Sequence, residues 1–325
     1  MNVVPNKVMT LGDAVRQYVF DGCHMSIGGF TINRNPMAAV YEIIRQRIKH
    51  IHLYAHSNGQ GVDELIGGGC IDRLEIAYGG SGRFAPTCVR FKKAAQNGSL
   101  AVEDYSNYQM TLRFLAGAMG VPFLPTRSSL GTDIIDKWGF SSELRATDSR
   151  LPNEKLIVMD NPFGDWGTAP KLVLVPAITT DVTIIHTQKA DIHGTARMEG
   201  LTFSDVEQAK SARHVIVTCE ELIQDESLRA NPDSNQIPHF CVSAVVHSPW
   251  GAYPTACYHH YDYDPSYLND YRKSAENDNL HSVYLDRFVY GVNNHQALLD
   301  LRGQAALDAI KADPRTGYAV GLDRR

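Results

Sequence analysis

The feature that most constrains this chain is a recurring unit near its start, in which a short apolar segment runs into a glycine-rich turn and a helical pattern follows. His24-Met-Ser-Ile-Gly-Gly-Phe30, Ile51-His-Leu-Tyr-Ala-His56 and Leu74-Glu-Ile-Ala-Tyr78 have strand length and composition. Thr10-Leu-Gly-Asp13 opens a helix as a capping box with Asp in place of Glu. Pro36 opens a second, with Met37, Val40, Ile43 and Ile44 on one face. Asp63 to Ile66, Pro86 to Asn97 and Asn107 to Gly120 read as further helices, the last two stopped by Gly98 and by Gly120 with Pro122. Strand and helix alternating every ~20–25 residues give βαβ units. The fold class expected is therefore α/β, a mostly parallel sheet with flanking helices.

The pattern breaks between Thr126 and Pro170, where turn residues such as Asn161-Pro-Phe-Gly164 mark an irregular excursion. Apolar strands resume at 171–176, 181–186, 214–218 and 241–246. Beyond about Tyr253 the chain turns aromatic and polar, with five tyrosines between Tyr258 and Tyr271. We expect one core over residues 1–250, with the excursion at about 126–170. A helical, aromatic C-terminal extension, 251–325, would pack on that core or on a partner subunit.

A chain of 325 residues with net charge −5 has no global positive field to hold a nucleic-acid backbone. No apolar run reaches the ~18 residues that span a membrane. Met1 to Met9 is too polar for a signal-peptide core, and none of the six cysteines forms a CxxC pair. These features point to a reduced, cytoplasmic protein with neither a nucleic-acid nor a membrane partner.

Open α/β sheets bind ligands beyond the carboxyl ends of their strands. There lie Gly28-Gly29-Phe30, then Ser57-Asn58-Gly-Gln-Gly61 after strand two and Tyr78-Gly-Gly80-Ser81-Gly-Arg83 after strand three. A tight turn explains any one such loop; three at successive strand ends point to a ligand edge, since glycine lets backbone N–H groups approach an oxyanion. None has GxGxxG or P-loop spacing, and Ser81 is not in a GxSxG elbow. Arg34 and Arg83 follow two of these loops. Each reads as a carboxylate anchor or as an ordinary surface arginine. The run Arg90-Phe-Lys-Lys93 reads as a phosphate contact or a solvated helix face. His239-Phe-Cys241 and Cys257-Tyr-His259-His260 match no zinc module, and His186 and His193 read as satisfied polar residues. Glu103 and Asp104 would point to opposite sides of a strand. No acid–base or nucleophile constellation emerges.

Eight stretches nevertheless resemble one family. They are Lys7-Val-Met-Thr-Leu11, Gly28-Gly-Phe-Thr31 with Arg34 and Pro36, Leu65-Ile66, Glu103-Asp-Tyr-Ser106, Leu112 to Pro125, Asp160-Asn-Pro-Phe163, Ile216-Val-Thr-Cys-Glu-Glu221 and Tyr261-Asp-Tyr-Asp264. In this order they resemble the A (alpha) subunits of family I CoA-transferases, most closely those of glutaconate type, over nearly the whole chain. The resemblance implies a B subunit of similar fold, a hetero-oligomer such as a heterotetramer, and a coenzyme A thioester as substrate with no permanently bound cofactor. It implies ping-pong transfer of CoA to a carboxylate through a glutamate on the B subunit, so that no catalytic residue is expected in this chain. The A subunit would supply crevice walls, backbone N–H donors and carboxylate anchors. Gly28, Gly29, Phe30, Arg34, Ser57, Asn58, Tyr78, Gly80, Ser81 and Arg83 are the expected substrate and CoA contacts.

The loops at Ser57–Gly61 and Gly79–Arg83 depart from the glutaconate pattern. Relatives on this scaffold include ring-opening CoA-thioester hydrolases and methylglutaconyl-CoA-type decarboxylases. The hydrolases use an acid of their A subunit near the segment matching 103–109, whose later positions in this chain are Ser106, Asn107 and Gln109. A noncatalytic acyl-CoA-binding subunit is the third reading.

Overall fold

The computed structural model describes residues 5–164 and 170–324. Met1 to Val4, the end of the excursion at 165–169, and Arg325 lie outside the described residues. The chain begins α1 (Leu11–Tyr18), β1 (His24–Ile27), α2 (Met37–Arg45), β2 (Ile51–Ser57), α3 (Gln60–Gly67), β3 (Ile71–Tyr78), α4 (Val89–Asn97), β4 (Ala101–Asp104) and α5 (Asn107–Met119). Local chemistry sets these bounds. The Thr10 hydroxyl accepts the Asp13 N–H at the start of α1. Ser106 and Gln109 form a full capping box on α5, and left-handed Gly98 and Gly120 stop α4 and α5. Strand β1 ends three residues before the expected Phe30, because Gly28 and Gly29 turn the chain away.

The excursion has more order than its turn residues suggest. It opens at the end of β5 (Phe123–Thr126) and holds α6 (Ser142–Ala146) and β6 (Ile157–Asp160), and β7 (Lys171–Pro176), just beyond it, pairs antiparallel with both strands. The expected strand at 171–176 therefore exists but belongs to this separate three-stranded sheet. The core strand direction returns with β8 (Thr180–Ala190), followed by β9 (Ala196–Arg197), α7 (Asp205–Lys210), β10 (Ala212–Leu222), α8 (Asp225–Arg229) and β11 (Ala244–His247). The strand expected from Cys241 begins later, since His239–Cys241 is a 3-10 turn.

The large sheet runs β11-β10-β8-β1-β2-β3-β4, all parallel, with the short β9 antiparallel on β8. β1 is buried at all four positions, as a central parallel strand must be. The tail forms α9 (Pro265–Ala275), α10 (Asp278–Leu285), α11 (His295–Arg302) and α12 (Gln304–Asp308). Its Tyr267, Tyr271, Tyr284 and Leu298 join the same buried cluster as Met25, Val40 and Leu65. Adjacent β1, β2 and β3 bring the three glycine loops to one edge of the sheet.

Candidate active site

The three loops are laced into one crest by their backbones. Thr31 N–H donates to Ser57 O (2.9 Å), Gly59 N–H to Thr31 O (3.1 Å), and Asn58 N–H to Tyr78 O (3.1 Å). The Asn58 side chain donates to Gly28 O and accepts from Val62 N–H. Gly29 sits at φ +86°, and a Cβ there would lie 2.6 Å from Arg34 O, so glycine is required. Within the same loop Thr31 and Arg34 have φ of 50° and 52°, and facing Phe203 has 51°. Left-handed conformations of β-branched or bulky residues are costly and persist where surrounding contacts over-determine them.

Those contacts come from the start of α7. The Asp205 carboxylate accepts the Gly29 N–H (3.0 Å) and Arg34 Nη1 (2.6 Å). Arg34 is 3% exposed and Asp205 0%. The guanidinium also donates to His186 O and Leu201 O. The Arg34 charge, expected to meet a substrate carboxylate, is paired inside the protein with Asp205. Arg34 positions the loop. Arg83 is exposed, donates to Asp323 O (2.6 Å) and lies 5.1 Å from the Phe84 ring centroid, so it is turned toward the C-terminal segment.

The backbone donors expected of loop one are also committed. Gly28 N–H bonds Ile184 O and Phe30 N–H bonds Asn33 O, besides those of Gly29 and Thr31. Ser57 and Asn58 are buried; the Ser57 hydroxyl donates to Asn107 Oδ1. Gly80 and Ser81 are buried too, and the Ser81 hydroxyl lies 3.7 Å from Cys88 Sγ, a thiol that burial pushes well up. These four residues hold the loops together rather than presenting polar groups. Phe30 and Tyr78 reach the surface. Phe30 stacks on Phe203 at 4.8 Å and 12°, next to Leu201, which is 74% exposed. Tyr78 anchors its hydroxyl on Pro86 O and shows its ring.

His56, at the end of β2, adds a group not singled out from the sequence. Its Nε2–H donates to Asn107 O (3.1 Å) and its buried Nδ1 has no partner. Burial lowers its pKa, so the ring is neutral at pH 7. Glu103 is buried on Arg145, Lys155 and Gly139 N–H, while Asp104 is exposed, so the two do point to opposite sides. Of the cation-ligand candidates, Cys257 converges not with His259 but with His186 and Glu220. Both ring nitrogens of His186 are taken, by Thr218 and Glu220, and Glu220 also receives Trp250 N–H and the Tyr261 hydroxyl. That cluster is a satisfied hydrogen-bond network. Lys93 and Arg90 both pair with Asp278.

Asp205, Phe203 and His56 escaped sequence reading. A helix-opening Asp has an ordinary local role, and nothing within a few residues of Asp205 signals its partner, which lies 171 positions away.

The fold and site define a parallel α/β scaffold whose β1–β3 loops meet in one laced crest. The chain belongs to the coenzyme A transferase family, whose pattern it matches over residues 8–248. It is 39% identical over 319 residues to the A subunit of glutaconate CoA-transferase from Acidaminococcus fermentans, covering 98% of this chain and 99% of that one. It is 31% identical to the A subunit of 3-oxoadipate CoA-transferase from Pseudomonas knackmussii, over 89% and 95% of the two chains. The crystal structure of glutaconate coenzyme A-transferase from Acidaminococcus fermentans superimposes with a TM-score of 0.92 over 97% of this chain and 98% of that chain. The chain is thus a CoA-transferase subunit, and its relatives' names imply a second, partner chain. Among the described residues no helix is long and apolar enough to cross a membrane.

Proposed function

We propose that this chain is the A subunit of a two-subunit, cytoplasmic CoA-transferase that moves CoA between an acyl-CoA and a short dicarboxylate such as glutaconate. The observation that carries this reading is the 39% identity, across 98% of the chain, to the A subunit of the glutaconate enzyme. CoA enters as the substrate thioester, with no resident cofactor. A glutamate of the partner attacks the thioester carbonyl and expels CoA thiolate, leaving an acyl-glutamyl anhydride. The thiolate attacks the glutamyl carbonyl and releases the first acid; the second carboxylate then reverses both steps. In a heterotetramer, the partner's nucleophile would face the crest of this chain.

The crest's part is to hold still. Phe30 and Tyr78 present apolar faces to the acyl-CoA, over Gly28, Gly29, Gly80 and Ser81, while Ser57, Asn58 and Arg34 fix the loops from beneath. Arg83 lines the outer end of loop three. Transfer is favoured over hydrolysis by Asn107. Its carboxamide, locked to Ser57, lies in the segment where the hydrolases are expected to carry an acid. The test is to co-purify chain and partner and screen CoA exchange over short mono- and dicarboxylates. Dicarboxylates should turn over best. Turnover confined to monocarboxylates overturns the substrate class, and thioester hydrolysis without transfer overturns the reaction.

A further inference from the structure

We propose that this chain binds a small phosphorylated anion at the opposite edge of the large sheet from the glycine loops. There, where β1, β8 and β10 begin, lies a cavity of about 470 Å³. Four cations line it, Arg113, Arg150, Lys210 and Arg213, against one acid, Asp181. On a chain of net charge −5 this is a local reversal of sign.

The acid is already neutralised. Asp181 Oδ2 accepts His24 N–H (2.9 Å) and Arg150 Nη1 (3.1 Å). Arg150 is further held by Asp148. Lys210 and Arg213, by contrast, make no ion pair among the described residues, although they flank the turn that leads from α7 into β10. Two unpaired cations facing one cavity repel each other until an anion enters.

The floor supplies a second, independent observation. Arg113 is 1% exposed and directs Nη1 to Glu75 (2.5 Å) and Nε to Pro176 O (3.0 Å). Its Nη2 has no partner among the described residues. With no internal acceptor to give up, that N–H is free to donate to a ligand oxygen. A monocarboxylate would neutralise only one of the two surface cations. A phosphate monoester or pyrophosphate matches both and has oxygens left for the buried arginine fork.

The test is calorimetric titration of the full-length chain with pyrophosphate at constant ionic strength, with malonate as a dianion of another class. Lys210 and Arg213 are exposed, so Lys210→Ala/Arg213→Ala leaves the core intact. Lys92→Ala, at a different basic surface cavity, is the control. We expect one pyrophosphate per chain, unchanged in the control and weakened at least tenfold in the double variant. No binding, equal binding in the double variant, loss in the control, or malonate binding as tight as pyrophosphate would each overturn the proposal.

Discussion

Arg34 and Asp205 form an ion pair of 2.6 Å, 3% and 0% exposed, that joins the loop after β1 to the first residue of α7. Removing one partner leaves the other charged, desolvated and alone. Asp205→Asn should therefore destabilise the chain by about 3–5 kcal/mol. Arg34→Met combined with Asp205→Leu should cost less than the two single changes added, because the double variant leaves no orphan charge. Urea denaturation of the four proteins gives the cycle. Strict additivity would show that the pair does not couple.

The same geometry decides what Arg34 does for substrate. An anchor for the distal carboxylate would affect dicarboxylates alone. A residue that shapes the loop from below affects every substrate. We expect Arg34→Met to lower kcat/KM for a dicarboxylate and for the monocarboxylate of equal length by similar factors. Loss confined to the dicarboxylate would return Arg34 to the crevice.

Gly29→Ala tests the crest itself. A left-handed alanine costs roughly 1–2 kcal/mol, and its Cβ would sit 2.6 Å from Arg34 O, a backbone atom that cannot swing aside. Stability and turnover should fall together. A variant that melts and turns over like the parent would mean that the loop can relax without consequence.

Much of this architecture was legible because it is local. The Thr10 and Ser106 caps, the glycine stops after α4 and α5, and the glycine runs after β1, β2 and β3 all act within a few residues. Parallel β1, β2 and β3 follow from helices placed between them. The roles of individual side chains were not legible, because they depend on partners far along the chain. Arg34 follows a glycine loop and reads as a ligand anchor until Asp205 is seen beneath it. Ser57 and Asn58 look available until Asn107 and Gly28 take their polar atoms. β7 has the composition of a core strand, and only its antiparallel pairing with β5 and β6 removes it from the large sheet.

Glu64 predicts how stability varies with pH. It is buried between α3 and the tail, where Oε1 accepts from Gln60, Tyr41 and Tyr284 while Oε2 has no partner. Burial pushes its pKa up from 4.5 to about 8. A folded-state value above the unfolded one means that the folded protein holds the proton more tightly. This contribution is complete below pH 4.5 and is lost as pH rises toward 8. The stability of the parent relative to Glu64→Gln should therefore decline across that window and level off above it. A difference that is flat, or that grows with pH, would place an ionised Glu64 in the folded state.

On the proposed function, this chain supplies a rigid crest to a nucleophile carried by its partner. The most direct measurement is CoA exchange between an acyl-CoA and a free dicarboxylate, followed for the purified chain alone, the partner alone and the co-purified complex. Transfer is expected from the complex and from neither chain on its own. Sustained transfer by this chain, free of its partner, would contradict it.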